Sequence, residues 1–486
     1  MSLESPSHEN PYLSPQEAAR SDADSIFRAT KIGTVALKRE LGVFTCILLV
    51  IGNIIGVGIF MTPGKVAQGL PTAGWVLTAW IIGGLMTTAG ALTYAELGAM
   101  FPKAGGDYVF LKEAFGPLVA FLYGLSYSLV TTAGTIALLA IGFPKHLGLD
   151  TGTWESKLLS ISIVAVLTFF NYRGVKLGAG VMDVLTSTKI VAMMLLVVLG
   201  FAIGHGSTAH FTPLFSGETK PIIFAIGAAL VPMSFAYSGW NATVLVAEEV
   251  RRPERVIPLS LILGTVLITL IYVLMNAVYL YAVPLHEMLG METVAKQAAS
   301  NLFAPWAANL ITGLVALSVL GCLSATMLAN PRTVFAMGRD GLFFKWAGIV
   351  HPKYQTPSAA IVFESIVGCV FILFSKFSDI LDTLSVTLLI IFTMTVCTVF
   401  VFRITRPDHP RPYKCWGYPF VPAFYVLISV WVVYSKFLSD GIYGIKGALI
   451  VLAGIPIYYL MLWYKKWAGK DEPMPQASSE LVENHE

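Results

Sequence analysis

The sequence predicts an all-α, polytopic membrane protein of twelve transmembrane helices, on three observations. Apolar stretches of about 20 residues recur from Leu41 to Tyr464, each long enough to cross a hydrocarbon core of roughly 30 Å. Charged residues make up 13% of the chain against 56% hydrophobic, about half the charge of a soluble domain. Two of the stretches, Ile51–Phe60 and Ser234–Ala242, are interrupted at their middles by small residues. An unwound helix inside a bilayer is tolerated only where the bare backbone lines a cavity or holds a ligand.

Residues 1–40 are polar, rich in Ser, Glu and Asp, and carry no early apolar run, so they read as a disordered cytoplasmic tail without a signal peptide. Span one, Leu41–Gln68, is apolar up to Gly56-Val57-Gly58. Gly74–Met100 and Leu118–Ile141 follow as spans two and three. Span four, Leu158–Asn171, is short. Span five, Val181–Gly204, carries Lys189 at its middle. Span six, Ile222–Ala247, contains the second interruption. Spans seven to ten are Pro258–Val283, Ala304–Met337, Ser358–Phe374 and Ile380–Phe402. Tyr418–Phe437 and Tyr443–Tyr464 complete the twelve, and 468–486 is a second polar tail.

Lys and Arg set the orientation. With the N-terminus inside, Lys38, Arg39, Lys103, Lys112, Arg173, Lys176, Arg251, Arg252, Arg339, Arg403 and Lys465 share one side, while the other holds a scatter such as Lys145, Lys157, Lys296 and Lys376. That bias marks the first side as cytoplasmic, with both termini on it and the protein in the inner or plasma membrane. Spans one to five (41–205) and six to ten (222–402) would form two repeats, followed by 403–467. Five is odd, so the second repeat inserts upside down, and spans one and six cross the midplane as antiparallel broken helices.

Each interruption has its own chemistry. Unwinding near Gly56, Val57 and Gly58 creates a new helix N-terminus whose free N–H groups and positive dipole end suit a carboxylate. The carbonyls of Ile54 and Ile55, left behind by the first half-helix, suit a cationic donor. In the second interruption, the carbonyls of Phe235, Ala236 and Ser238 would accept from an ammonium group. Together the two breaks fit an α-amino acid zwitterion held almost wholly by backbone. The competing reading of such glycines is close helix packing.

Other chemistries find no support. The five cysteines lie in apolar spans or, for Cys415, in a basic loop, and suggest no disulfide framework. There is no phosphate-binding Gly-rich loop ending in Lys-Ser/Thr. His205, His210 and His351 lack metal-ligand spacing, and no nucleophile–base pair suggests an enzyme. No cofactor is expected. Glu96, Glu248, Glu249 and Arg339, at cytoplasmic span ends, read as ion pairs or gate elements. Trp240 and Asn241 read equally as pocket support or packing.

The chain resembles the amino acid–polyamine–organocation superfamily, and within it the L-type amino-acid transporters and their bacterial relatives. The matching pieces are Gly56-Val-Gly-Ile-Phe60, Tyr94-Ala-Glu-Leu-Gly98, Phe101-Pro-Lys-Ala-Gly-Gly-Asp-Tyr108, Phe235-Ala-Tyr-Ser-Gly-Trp-Asn241, Glu248-Glu-Val-Arg-Arg-Pro-Glu-Arg255, Met337-Gly-Arg-Asp-Gly-Leu342 and Arg411-Pro-Tyr-Lys-Cys-Trp-Gly-Tyr418. The resemblance implies a LeuT-type fold of five-plus-five inverted repeats with two added helices. It implies that backbone at Val57 and Gly58 holds the substrate carboxylate, that Ile54, Phe235 and Ser238 hold the amine, and that Phe235 gates the site. Relatives often carry Ser or Ala where Val57 stands, which narrows the pocket here. Members accepting cationic substrates often place an acid where Ser238 stands, so neutral substrates are expected.

A lysine as deep as Lys189 faces an interior or a water path by default. The resemblance implies that it replaces a bound sodium ion and reaches span one together with a hydroxyl of span eight, Thr326 being favoured over Ser324. A purely structural role stays open. Eukaryotic light chains of the family use a cysteine between spans three and four to bind a glycoprotein; Phe143–Lys157 has none, so no disulfide-linked heavy chain is expected. The expected function is sodium-independent uptake or exchange of neutral L-amino acids by alternating access. Its rivals are a proton-coupled symporter, an antiporter of cationic amino acids or polyamines, and a transport-inactive sensor on the same fold.

Overall fold

The computed structural model describes residues 36–467 except 217, 218, 292, 375 and 376. The expected tails, apart from 36–40, and Lys376 lie outside the described residues. Those from Leu37 onward belong to one compact unit. They are all-helical, and their one β-bridge pairs Leu41 with Val250. Among the described residues seven helices are long and apolar enough to cross a membrane, and the shorter apolar helices include Ile222–Ala236, Ser358–Phe374 and Phe420–Ser435.

The N-terminal half opens with α1 (Val43–Ile54), a gap, α2 (Gly58–Met61) and α3 (Pro63–Ala67), the last started by a proline whose missing N–H costs nothing there. The 28 residues of α4 (Ala73–Met100) span about 42 Å. Gly105 and Gly106, both at positive φ, turn the chain into α5 (Asp107–Phe115). Gly116, at φ +85°, leads to α6 (Pro117–Ser126). A π-helical segment, Tyr127–Thr132, joins α6 to α7 (Ala133–His146) in one run.

The expected short fourth span is longer in the structure. It is α8 (Trp154–Arg173), 20 residues, because Thr153 caps it by accepting from the Ser156 N–H and Gly174 ends it at φ +155°. Next comes α9 (Val175–Ile203), whose outer face exposes Val184, Val191 and Val198 while Lys189 is buried on the inner face. An apolar outer face of this kind suits lipid contact.

The second half contains α10 (Thr219–Ala236), a gap, α11 (Ala242–Leu245) and α12 (Pro253–Ala282). Two helices in the following loop, α13 (Leu285–Met288) and α14 (Val294–Leu302), were not expected. The eighth expected span divides at Pro331 into α15 (Ala307–Ala329) and α16 (Pro331–Arg339). Then come α17 (Ser358–Phe374), α18 (Phe377–Thr405), α19 (Phe420–Leu452) and α20 (Gly454–Trp467). The expected turn at 438–442 is absent: α19 runs through it, since no proline interrupts the stretch, and the chain breaks beside Gly454 and Pro456 instead.

Packing places α1 against α9, α12 and α15. The chain ahead of α1 is tied to the chain after α11. Glu40 and Leu41 donate to the Glu249 carbonyl at 2.9 and 3.0 Å, and Arg251 donates back to Leu41 at 2.9 Å. The two interrupted segments are therefore held side by side at one end by main chain.

Candidate functional site

The helix breaks fall where small residues interrupt the apolar runs. After α1 the last regular bond is Ile55 N–H to Ile51 O, at 2.9 Å. Ile55 then leaves helical geometry at ψ 89°, and Gly58 opens α2. The Val57 N–H has no partner among the described residues, and an N–H that opens a helix has none within it. The second break spans 237–241 and turns on Gly239 at φ +93°.

The breaks touch. A Cβ on Gly58 would stand 2.7 Å from Ala236 Cα, and one on Gly239 would stand 3.0 Å from Asn53 Cβ and O. Both glycines therefore have a packing role, the competing reading offered above. That role is what brings the breaks to one chamber of about 50 Å³. Gly56, Val57 and Gly58 line it from one side, and Phe235, Ser238 and Gly239 from the other. Ile54, Asn53 and Thr326 also reach it. A neighbouring cavity of about 30 Å³ shares Ser238, Leu388 and Phe392 and continues to Ser234 and Trp240.

Several carbonyls expected to be bare have partners. Tyr272 Oη lies 3.1 Å from both Ile54 O and Ala236 O, and Ile54 O also accepts from the Gly56 N–H. Ile55 O accepts from Lys189 Nζ at 2.6 Å and Ser318 Oγ at 3.2 Å. Phe235 O accepts from the Ser238 N–H and hydroxyl at 3.1 and 2.7 Å. Ile55 and Ala236 do not line the chamber, the first turned towards Lys189 and the second packed on Gly58. The cause is general: carbonyls freed within the membrane recruit nearby donors rather than stay unbonded.

Lys189 is fully buried and spans the first break, donating to Gly52 O at 2.9 Å as well as to Ile55 O. Neither hydroxyl expected to meet it on α15 bonds it. Thr326 Oγ1 donates to Asn53 Oδ1 at 3.1 Å, and Ser324 Oγ is buried without a partner. The α15 hydroxyl beside the lysine's carbonyl is Ser318, two helical turns before Thr326, and Gly321 lies between them against Lys189 Nζ.

The sequence reading missed Tyr272, Ser318, Asn53 and Cys322, whose thiol donates to Asn53 O at 3.2 Å. A mid-span tyrosine needing a partner for its hydroxyl was the available signal for Tyr272. At the end where α1 and α11 are tied, the expected acids are paired. Glu249 binds Arg332 at 2.7 and 3.0 Å with both side chains fully buried. Glu248 binds Arg339, and Glu96 binds Arg403, at 2.8–2.9 Å. Asp107 accepts from Asn241 at 2.8 Å, one residue before α11, and from Tyr94. Burial pushes its carboxyl up to about 6, with those two hydrogen bonds opposing the rise.

Comparison with known proteins gives a consistent picture. The amino acid permease family matches residues 41–462. The chain is 29% identical over 461 residues to b(0,+)-type amino acid transporter 1 of Mus musculus, covering 93% of this chain and 94% of the relative. It is 32% identical over 431 residues to the serine/threonine exchanger SteT of Bacillus subtilis (strain 168), covering 87% and 97%. With large neutral amino acids transporter small subunit 2 of Homo sapiens it shares 30% over 463 residues, covering 93% and 84%.

Proposed function

The chain belongs to the amino acid permease family, and on that premise we propose that it is a multi-pass secondary transporter moving neutral L-amino acids by alternating access, independently of sodium. The proposed architecture is the twelve-span, LeuT-type plan of inverted repeats 41–205 and 222–402 with 403–467 added. Both termini are cytoplasmic, the location is the cell membrane, and no disulfide-linked heavy chain is needed.

The observation that carries this reading is the Val57 N–H, without a partner among the described residues, at the helix start beside Gly58, with Val57, Gly58 and Ser238 lining one chamber. A carboxylate would bind at Gly56, Val57 and Gly58. The ammonium would bind the Ser238 carbonyl and the remaining lone pairs of Ile54 and Phe235, with Phe235 as the gate. A carbonyl has two lone pairs, so an existing bond does not close the site. Ile55 and Ala236 would support these groups from behind. Lys189 would hold the first break as a fixed cation in place of a sodium ion, with Ser318 sharing its carbonyl. The neutral hydroxyl of Ser238, in place of an acid, favours neutral side chains.

The relatives' names support both exchange and a neutral cargo: one is a serine/threonine exchanger, another a large neutral amino acids transporter subunit. Counterflow in proteoliposomes tests the mechanism. Uptake of labelled neutral amino acid that requires internal amino acid supports exchange. Uptake driven by a pH gradient alone would replace it with proton symport.

A further inference from the structure

Glu364, on α17, is 1% exposed, and neither carboxyl oxygen has a hydrogen-bond partner. An ionised carboxylate so placed, without a partner, is among the costliest groups a membrane protein can hold. The groups facing it are few. The π segment presents Tyr127 and the Ser128 hydroxyl, which stands beside the carboxyl without making an ordinary hydrogen bond and is itself unpartnered. From α16, Arg332 acts on it from a distance, but its guanidinium is engaged by Glu249 and Leu328 O. At this level α7 offers Ile136 against Gly368, α8 offers Thr168 bonded to Ser365, and the turn after α16 offers Trp346 against Phe363. None of these neutralises a carboxylate.

The same π segment also reaches the chamber. Tyr127 and Thr131 line it, and the Thr131 hydroxyl is also buried and unpartnered. π-Helical turns recur at functional sites because they re-aim side chains that a regular helix would bury. Here the turn sets Ser128 towards Glu364 and Thr131 towards the chamber.

We propose that Glu364 is a proton-binding site of the membrane interior, protonated in the conformation described, which exchanges its proton with chamber water past Ser128 and Thr131. On release, the acid O–H bond breaks, the proton leaves on water, and the carboxylate is left to the hydroxyls and to the field of Arg332. The site stands on the burial of Glu364 and on no assumption about what the chamber carries.

Infrared difference spectra of the purified full-length protein, wild type minus Glu364→Gln, test the site without any transport. The expected result is a protonated-carboxyl C=O band present in wild type at neutral pH, lost in Glu364→Gln and shifted in Ser128→Ala. Asp107 is common to all three proteins and cancels. A carboxyl region unchanged by Glu364→Gln overturns the proposal. In proteoliposomes, amino-acid uptake should vary with pH in wild type and lose that variation in Glu364→Gln; profiles of the same shape overturn the exchange with the chamber. If Glu364→Gln does not fold, Ser128→Ala carries both tests, and an unmoved band or profile counts against the proposal. Absence of uptake in every protein would sink the transport reading while leaving the band to decide the site.

Discussion

Removing the ammonium of Lys189 should destabilise the first break far more than loss of side-chain volume explains. The side chain is fully buried and donates to two main-chain carbonyls, Gly52 O at 2.9 Å and Ile55 O at 2.6 Å. Hydrogen bonds from a charged donor contribute about 1.5–3 kcal/mol each, so the pair is worth about 3–6 kcal/mol. With an unfolding entropy of roughly 1 kcal/mol/K for a chain this size, that corresponds to a drop of about 3–6 °C in melting temperature. Lys189→Met separates charge from packing, since it keeps most of the volume, orphans Gly52 O and leaves Ile55 O with Ser318 alone. Thermal melts of the detergent-solubilised protein should place Lys189→Met close to Lys189→Ala and well below wild type. In Lys189→Ala, sodium should recover part of the loss by binding Gly52 O, Ile55 O and Ser318 Oγ, because unwound carbonyls are suited to that ion. A Lys189→Met protein melting with wild type would refute the reasoning, since the ammonium would then hold nothing that an apolar chain cannot replace.

Three further outcomes follow from the same geometry. Gly58→Leu should abolish amino-acid binding, because its Cβ would meet Ala236 Cα at 2.7 Å and force the breaks apart, whereas Gly42→Ala, with nothing within 4 Å, should bind as wild type; binding retained by Gly58→Leu would contradict this. Tyr272→Phe removes the hydroxyl between Ile54 O and Ala236 O; it should cost about 1–2 kcal/mol in a denaturation assay and weaken substrate affinity several-fold, and an unchanged Kd would show that the tether is idle. Asp107 has a folded-state pKa of about 6 against an ordinary 3.8, so between those values the native state holds more protons than the unfolded state. Stability should therefore fall by about 3 kcal/mol as pH rises through that window and level off above it. Asp107→Asn should flatten the slope in melts taken across the window, and a persisting slope would assign it elsewhere.

The positions of the two breaks were legible because glycine-rich interruptions in long apolar runs have few other causes. What fills the freed valences was not, since Tyr272 and Ser318 lie 218 and 263 residues from the carbonyls they approach. Pairing Lys189 with Thr326 failed for a related reason. Periodicity narrows the face of α15 turned towards α9 but not the turn level with the lysine, and Ser318 sits two turns before Thr326 and about 80° round the helix from it. The buried Glu249–Arg332 pair joins an acid expected at a cytoplasmic span end to an arginine inside the expected eighth span, Ala304–Met337. The π segment leaves no compositional trace in Tyr127–Thr132. At the C-terminal end, Ser439, Asp440 and Gly441 read as a turn, yet each is tolerated within a helix when no proline accompanies it.

Capture of both ends of a zwitterion by unwound main chain is tested most directly by equilibrium binding to the purified wild-type protein. Calorimetry would compare one neutral L-amino acid with its methyl ester and with its N-acetyl derivative. The expected result is binding of the free amino acid and a loss of at least tenfold for each blocked form, the ester losing the N–H groups at Val57 and Gly58 and the amide losing the Ser238 carbonyl. Equal affinity for all three would contradict it.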